Sequence, residues 1–128
     1  MVKKTNQDAF NIICKRPWGQ YKKIFQESGV WVKRVEVKPK ARLSLQTHNY
    51  RSEKWIIVSG KGLIVLDDKQ ITVQAGDIID VPLGIIHRIG NIGKDNLIFI
   101  EVACGSHLSE GDITRLQDDY QRIKEKNK

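Results

Sequence analysis

Turn-forming residues cut this chain into short pieces, and no stretch between them is long enough for a crossover helix. Glu27-Ser28-Gly29, Pro39, Gly60-Lys61-Gly62, Asp67-Asp68-Lys69-Gln70 and Gly84 each interrupt the pattern. The pieces between them are rich in β-branched residues: Tyr21 to Phe25, Val30 to Val37, Ile71 to Gln74, Ile78 to Val81, His87 to Ile89 and Leu97 to Ala103. Ile56-Ile57-Val58 and Leu63-Ile64-Val65-Leu66 are expected to form a hairpin across Gly60. With no helical pattern of ten to fifteen residues separating them, the strands fit an all-β sandwich or barrel and exclude βαβ units. Only the tail is expected to be helical, over Asp112 to Lys126, with Asp112 as N-cap and Ile113, Leu116, Tyr120 and Ile123 on one face.

One stretch concentrates chemistry. Gln46-Thr47-His48-Asn49-Tyr50-Arg51-Ser52-Glu53-Lys54-Trp55 holds an amide, an imidazole, a guanidinium, a carboxylate and an indole just before an apolar strand. Strand side chains alternate, so Arg51, Glu53 and Trp55 share one face and Gln46 and His48 share another. A tight connection at Asn49-Tyr50 would let both sets face one cavity. An imidazole with a carboxylate suits a borderline divalent ion such as zinc, and a carboxamide oxygen is an admissible weaker ligand. An ordinary polar pair uses the same residues. Downstream, Gly76-Asp77-Ile78-Ile79-Asp80-Val81-Pro82-Leu83-Gly84-Ile85-Ile86-His87 ends an apolar strand at a proline, turns at Gly84 and presents a second histidine.

The chain of 128 residues is long enough for one domain with its own core, and 40% hydrophobic with 29% charged residues argues against disorder. The net charge of +7 suits a phosphorylated ligand, but no basic stripe is interleaved with aromatics, which argues against nucleic acid. Two cysteines without a CxxC, and the lack of an apolar leader or a bilayer-length segment, lead to the expectation of a soluble cytoplasmic protein with no membrane partner.

Taken together, the two stretches resemble the paired motifs of the cupin superfamily. In the first, Gln46, His48, Glu53 and Gly60 fall at the motif positions and Lys40 stands where a glycine is usual; in the second, Gly76, Pro82, Gly84, His87 and Asn91 match throughout. The closer resemblance is to the type II phosphomannose isomerase domain found at the C-terminus of bifunctional mannose-1-phosphate guanylyltransferase/mannose-6-phosphate isomerases. It is carried by Arg16-Pro17-Trp18-Gly19, Val32-Lys33-Arg34-Val35, the Gln46-Thr47-His48 segment, Pro82 to Arg88, Ile100-Glu101-Val102 and Asp112 to Arg115 with Asp118 and Tyr120. Lys54 and Gln121 also depart from the family, which usually has histidine and glycine there.

The resemblance implies a double-stranded β-helix, or jelly-roll barrel, over residues 16–111, preceded by an arm at 1–15 and followed by a tail at 112–128. It implies a divalent metal held by Gln46, His48, Glu53 and His87, with zinc first and manganese, iron or cobalt as alternatives. It also implies interconversion of mannose 6-phosphate and fructose 6-phosphate, with Arg51, Lys33 and Glu101 as catalytic candidates. Lys33, Arg51, Arg88 and Arg115 are the substrate-binding candidates, and Arg122 is a further phosphate candidate. Each has a plainer role open to it: Arg51 as a salt-bridge partner of Glu53, Lys33 as a snorkelling lysine, Glu101 as an ion-pair partner. Lys54, which alternates away from Glu53, is expected to face outward. A sugar-binding module or a companion of a separate guanylyltransferase is the competing reading, while Gln46 in place of histidine disfavours an iron oxygenase. A homodimer formed by strand pairing or arm exchange is expected.

Overall fold

The computed structural model describes residues 11–122. Most of the expected arm and the end of the expected helix, including Ile123, therefore lie outside the described residues. In chain order the strands are β1 (Ile13–Arg16), β2 (Gly19–Glu27), β3 (Val30–Val37), β4 (Leu45–Thr47), β5 (Arg51–Ser59), β6 (Lys61–Leu66), β7 (Lys69–Gln74), β8 (Ile78–Val81), β9 (His87–Asn91), β10 (Leu97–Gly105) and β11 (Thr114–Gln117). They form two antiparallel sheets, ordered β1-β2-β3-β10-β5-β8 and β11-β4-β9-β6-β7. From β3 to β11 the chain repeatedly crosses between the sheets, the winding of a double-stranded β-helix.

Alternation explains the packing. Along β3 and β5 every second residue is buried, and Val35, Val37, Trp55 and Ile57 meet Ile64, Ile89, Leu97 and Phe99 between the sheets. Trp55 and Phe99 pack with ring centroids 5.2 Å apart. Each such aliphatic or aromatic side chain removed from water stabilises the fold by about 1.5–3 kcal/mol.

Two sequence expectations are corrected. Ile56–Val58 and Leu63–Leu66 do not pair with each other. β5 lies between β10 and β8 while β6 lies between β9 and β7, so Gly60 is a corner between sheets. It takes φ 91°, and a Cβ there would sit 2.8 Å from the Asn96 carbonyl oxygen, so only glycine turns this corner without displacement. The tail is also not helical among the described residues: Thr114–Gln117 pairs antiparallel with β4 as an edge strand. The spacing of three and four that suggested a helix is too short to outweigh the open hydrogen-bonding edge of β4.

Lys40 and Gln121, which stand where the resemblance has glycine, both adopt left-handed φ, 66° and 58°. The motif glycine at these places answers a backbone requirement. Lys40→Gly is expected to raise stability by up to about 1 kcal/mol, read from a shifted urea midpoint at unchanged m-value.

Beyond β11, the buried Asp118 carboxylate accepts from the Arg122 Nε at 2.8 Å and from the Arg122 backbone N–H at 2.8 Å. Burial alone would raise its pKa, but these bonds outweigh it and hold the group at about 2. A carboxyl whose folded pKa lies below its unfolded value gives its full stabilisation above that unfolded value. It loses it as pH falls from about 4 through about 2, about 2 kcal/mol here. Asp118→Asn should flatten that limb in urea unfolding series at pH 2 to 5.

Candidate metal and sugar-phosphate site

The inward faces of both sheets supply the polar residues of one cavity of about 140 Å³. Strand β5 sends in Arg51 and Glu53 beside Trp55, all buried. Across the sheet, Glu101 on β10 registers with Trp55 on one side and Lys33 on β3 on the other. The facing sheet brings Gln46 on β4 opposite His87 on β9, and His48 follows at the end of β4. The connection at Asn49-Tyr50 is tight, so both alternating sets of the Gln46–Trp55 stretch reach the same space.

Hydrogen bonds fix how the two histidines face. His48 Nδ1 lies 2.6 Å from the Asp112 carbonyl oxygen and His87 Nδ1 lies 3.0 Å from that of Ile85. A carbonyl can only accept, so Nδ1 carries the hydrogen in each ring and Nε2 keeps its lone pair. Burial, helped by the Arg51 charge, pulls His48 down to about 4, and burial lowers His87 as well. Both rings are thus neutral near pH 7, the form that ligates metals. One ligand atom from each of His48, Glu53 and His87 falls within 4.8 Å of the others, and His48 Nε2 is 3.2 Å from Glu53 Oε2. Two electron-pair donors facing each other so closely suit a cation, and the Arg51 guanidinium lies beside both, its Nη2 3.3 Å from His48 Nε2 and its Nε 2.8 Å from Glu53 Oε2. Gln46 turns its amide NH2 toward the Ser44 carbonyl at 3.4 Å, leaving its oxygen as the free ligand end. Two imidazoles, a carboxylate and a carboxamide fit a divalent ion with a position left open for another ligand.

Around this donor set lie charges of both signs. Arg51 donates from Nε to Glu53 Oε2 at 2.8 Å and from Nη1 to the Ser109 carbonyl at 2.9 Å, and it lies over Trp31. Trp55 Nε1 donates to the other Glu53 oxygen at 2.9 Å. Glu101 accepts from Trp31 Nε1 at 3.0 Å, and burial, together with the neighbouring Glu53, pushes its pKa up to about 7. Lys33 is buried, lies over the rings of Tyr21 and Trp31, and pairs with Glu110. It does not snorkel.

A loop that sequence reasoning did not connect with the site crosses it between β10 and β11. Ser109 holds Arg51, Glu110 holds Lys33 and accepts from the Tyr21 hydroxyl at 2.9 Å, and the Asp112 carbonyl orients His48. The Asp112 carboxylate accepts the backbone N–H groups of Asn49 (2.8 Å) and Tyr50 (2.9 Å), fixing the turn between His48 and Arg51. Instead of capping a helix, Asp112 caps a turn more than sixty residues upstream in the chain. Tyr21 and Glu110 carry no local signature, and Asp112, expected as a helix N-cap, gives no local sign of this role; their partners are far away in sequence. Removing the Asp112 carboxylate by Asp112→Ala should weaken zinc binding by about 10- to 100-fold, measured by competition with a chromophoric chelator, with far-UV circular dichroism unchanged.

Of the remaining candidates, Arg115 lines the cavity with its buried Nε unpartnered, and Arg16 and Arg122 line it as well. Arg88 does not line it. Although buried, it points behind His87 and is bonded to the Leu43 carbonyl and to Gln117, so its role is to tie β11 to the barrel. Lys54 faces outward and pairs with Asp80 at 3.1 Å, which removes its departure from the family pattern from any bearing on the cavity. His107 is exposed.

Comparison with known proteins gives a consistent result. The family described as "Mannose-6-phosphate isomerase C-terminal" matches residues 3–118. The "Alginate biosynthesis protein AlgA" of Pseudomonas aeruginosa is 44% identical over 110 residues, 86% of this chain and 23% of that protein. The "Mannose-1-phosphate guanylyltransferase ManC" of Salmonella typhimurium is 39% identical over 108 residues, 84% of this chain and 22% of that protein. The chain therefore spans less than a quarter of the length of these relatives. Among solved structures, the Cnp3 cupin domain of Schizosaccharomyces pombe superposes with a TM-score of 0.65 at 18% identity, covering 67% of this chain and 64% of that one. A Bacillus subtilis oxalate decarboxylase, studied for its Mn(II) centres, superposes with a TM-score of 0.71 at 23% identity over 81% of this chain and 29% of that one. At these identities the likeness is one of fold.

Proposed function

Because the chain belongs to the mannose-6-phosphate isomerase C-terminal family, we propose that it is a metal-dependent sugar-phosphate isomerase interconverting mannose 6-phosphate and fructose 6-phosphate. The observation that carries this reading is the convergence, in one cavity, of two neutral imidazoles and Glu53 with the guanidinium of Arg51, whose Nη2 lies 3.3 Å from His48 Nε2. Gln46, His48, Glu53 and His87 would hold the ion, zinc being the first candidate for such nitrogen and oxygen donors and manganese, iron and cobalt the alternatives. When bound, the ion supplies Lewis acidity toward substrate oxygens.

The chain's own residues divide the rest of the work. Aldose–ketose isomerisation moves one proton between C1 and C2 and develops negative charge on the adjoining oxygens. Arg51, held by Glu53 and Ser109, is a preorganised cation for that charge. Glu101, with its pKa near 7, exists in both protonation states at neutral pH and suits the transfer of the proton. Lys33, beside Glu101 in the register of the sheet, supports either role. Arg115, Arg122 and Arg16 supply cationic lining for the phosphate, and the unpartnered Nε of Arg115 favours it as an anchor. Sugar phosphates and two unpaired cysteines support a cytoplasmic setting, and the names of the relatives support a place in polysaccharide biosynthesis.

One observation favours a second reading. A relative bears the name of a mannose-1-phosphate guanylyltransferase, which suits a sugar-binding companion of such an enzyme. The two separate in an assay of metal-free protein supplied in turn with zinc, manganese and cobalt. Metal-dependent formation of fructose 6-phosphate supports the isomerase; metal binding and sugar-phosphate binding without turnover sink it and leave the companion.

A further inference from the structure

Among the carboxylates that line the cavity, one reaches solvent. Glu53 and Glu101 are buried on β5 and β10, whereas the Glu110 side chain, on the loop between β10 and β11, is 44% exposed. Glu110 nevertheless makes the contacts of a bound anion. It pairs with the ammonium of Lys33, whose side chain is only 7% exposed, and it accepts from the Tyr21 hydroxyl at 2.9 Å. Arg16 extends the same wall: its Nη2 donates to the Tyr21 oxygen at 3.2 Å, and it lines the cavity together with Arg115. An ammonium, a hydroxyl and neighbouring guanidinium groups match the oxygens and charge of a phosphate monoester.

Two features make this contact reversible. The loop is anchored on both sides of Glu110 by other bonds. The Ser109 carbonyl accepts from Arg51 and from the Asp112 backbone N–H, and the Asp112 carboxylate holds the Asn49-Tyr50 turn. Rotation of the Glu110 side chain toward solvent therefore releases Lys33 without moving the backbone. Lys33 also stays in position when the carboxylate leaves, because its Nζ lies 4.2 Å from the Tyr21 ring centroid and 4.3 Å from that of Trp31. Leaving a buried ammonium without its paired anion is costly. The exchange thus needs an incoming anion, and a neutral sugar cannot drive it.

We propose that Glu110 is an internal stand-in for the ligand's phosphate, a latch that a phosphorylated sugar displaces from Lys33 and Tyr21 and that an unphosphorylated one leaves closed. The step is an exchange of ion-pair partners, with no bond made or broken. For the class of ligand the proposal rests on the sugar-phosphate reading of the cavity; it adds the residue that selects for the phosphate. While the latch is closed the anion must compete with it, so apparent affinity is reduced in proportion to the open fraction.

Isothermal titration calorimetry of the whole chain with mannose 6-phosphate and with mannose tests this, comparing the parent with Glu110→Gln, which keeps the side chain's shape and removes its charge. The expected result is a dissociation constant for mannose 6-phosphate about 10-fold lower in the variant, with mannose binding as in the parent. The gain should persist in about 0.5 M salt, where attraction beyond contact distance is screened. Unchanged or weaker binding of mannose 6-phosphate by Glu110→Gln overturns the proposal, because Glu110 would then be holding Lys33 in place for the ligand. An equal gain for mannose overturns it too, as does a gain that salt abolishes. Should Glu110→Gln fail to fold by circular dichroism, Glu110→Ala carries the same test. Binding is read without turnover, so the two readings fail separately. A protein that binds as expected yet forms no fructose 6-phosphate loses the isomerase and keeps the latch, while an active enzyme indifferent to Glu110→Gln loses the latch alone.

Discussion

Arg51→Ala is expected to reduce kcat for mannose 6-phosphate by about 10²- to 10³-fold, the usual cost of removing one preorganised donor from a site where charge develops. Arg51 earns this weight through its fixation: Glu53, the Ser109 carbonyl and the face of Trp31 hold the guanidinium with little freedom. The same contacts predict a second effect. Without Arg51 the buried Glu53 carboxylate loses its cationic partner while keeping the Trp55 N–H, and orphaning one partner of a buried pair costs about 3–5 kcal/mol. Zinc should recover part of that loss by supplying the missing positive charge, so the thermal midpoint of the variant should rise more on adding zinc than that of the parent. Arg51→Lys keeps the charge and loses the fork, and should fall between the two. A kcat within a few-fold of the parent in Arg51→Ala would remove Arg51 from the mechanism.

The second large effect concerns the metal. His87→Ala should weaken zinc binding by about 10²- to 10³-fold, roughly one ligand's share of a four-ligand site, as read by chelator competition on the metal-free protein. Gln46→Ala should cost less, because a neutral carboxamide is the weaker donor. The ordering discriminates between ligand and packing roles. His87 also packs against Trp55 and His48, with ring centroids at 5.7 and 4.9 Å, so both stability and affinity move when it is lost; Gln46→Ala should shift affinity with little change in stability. Equal zinc affinity in parent and His87→Ala would refute the site.

These two expectations rest on residues that were readable in the sequence, and the reason is local. Arg51, Glu53 and Trp55 obey the period of two on one strand, and Gln46 with His48 obeys it on another, so their common direction follows from alternation alone. His87 is delivered by a proline and a glycine at fixed offsets in a turn. What could not be read depends on the tertiary path. The Ile113, Leu116, Tyr120 spacing was ambiguous until the free edge of β4 drew Thr114–Gln117 into a strand. Nothing near Gly60 tells a hairpin from a corner, because both need a left-handed glycine. Tyr21, Glu110 and Asp112 escaped for a related reason. The bond between Tyr21 and Glu110 spans 89 positions, and that between Asp112 and Asn49 spans 63, with no pattern on either side to announce them.

The loop between β10 and β11 also sets a timetable. His48, Arg51 and Glu53 come from the middle of the chain, but the groups that aim them, Ser109, Glu110 and Asp112, leave the ribosome only after β10 has been made. A nascent chain that has already paired β5 with β8 still has an unaimed His48 and a loosely held Arg51. Tight capture of a metal by these residues would therefore wait until nearly all of the barrel has been synthesised, and an ion bound with full affinity would certify that translation has passed residue 112.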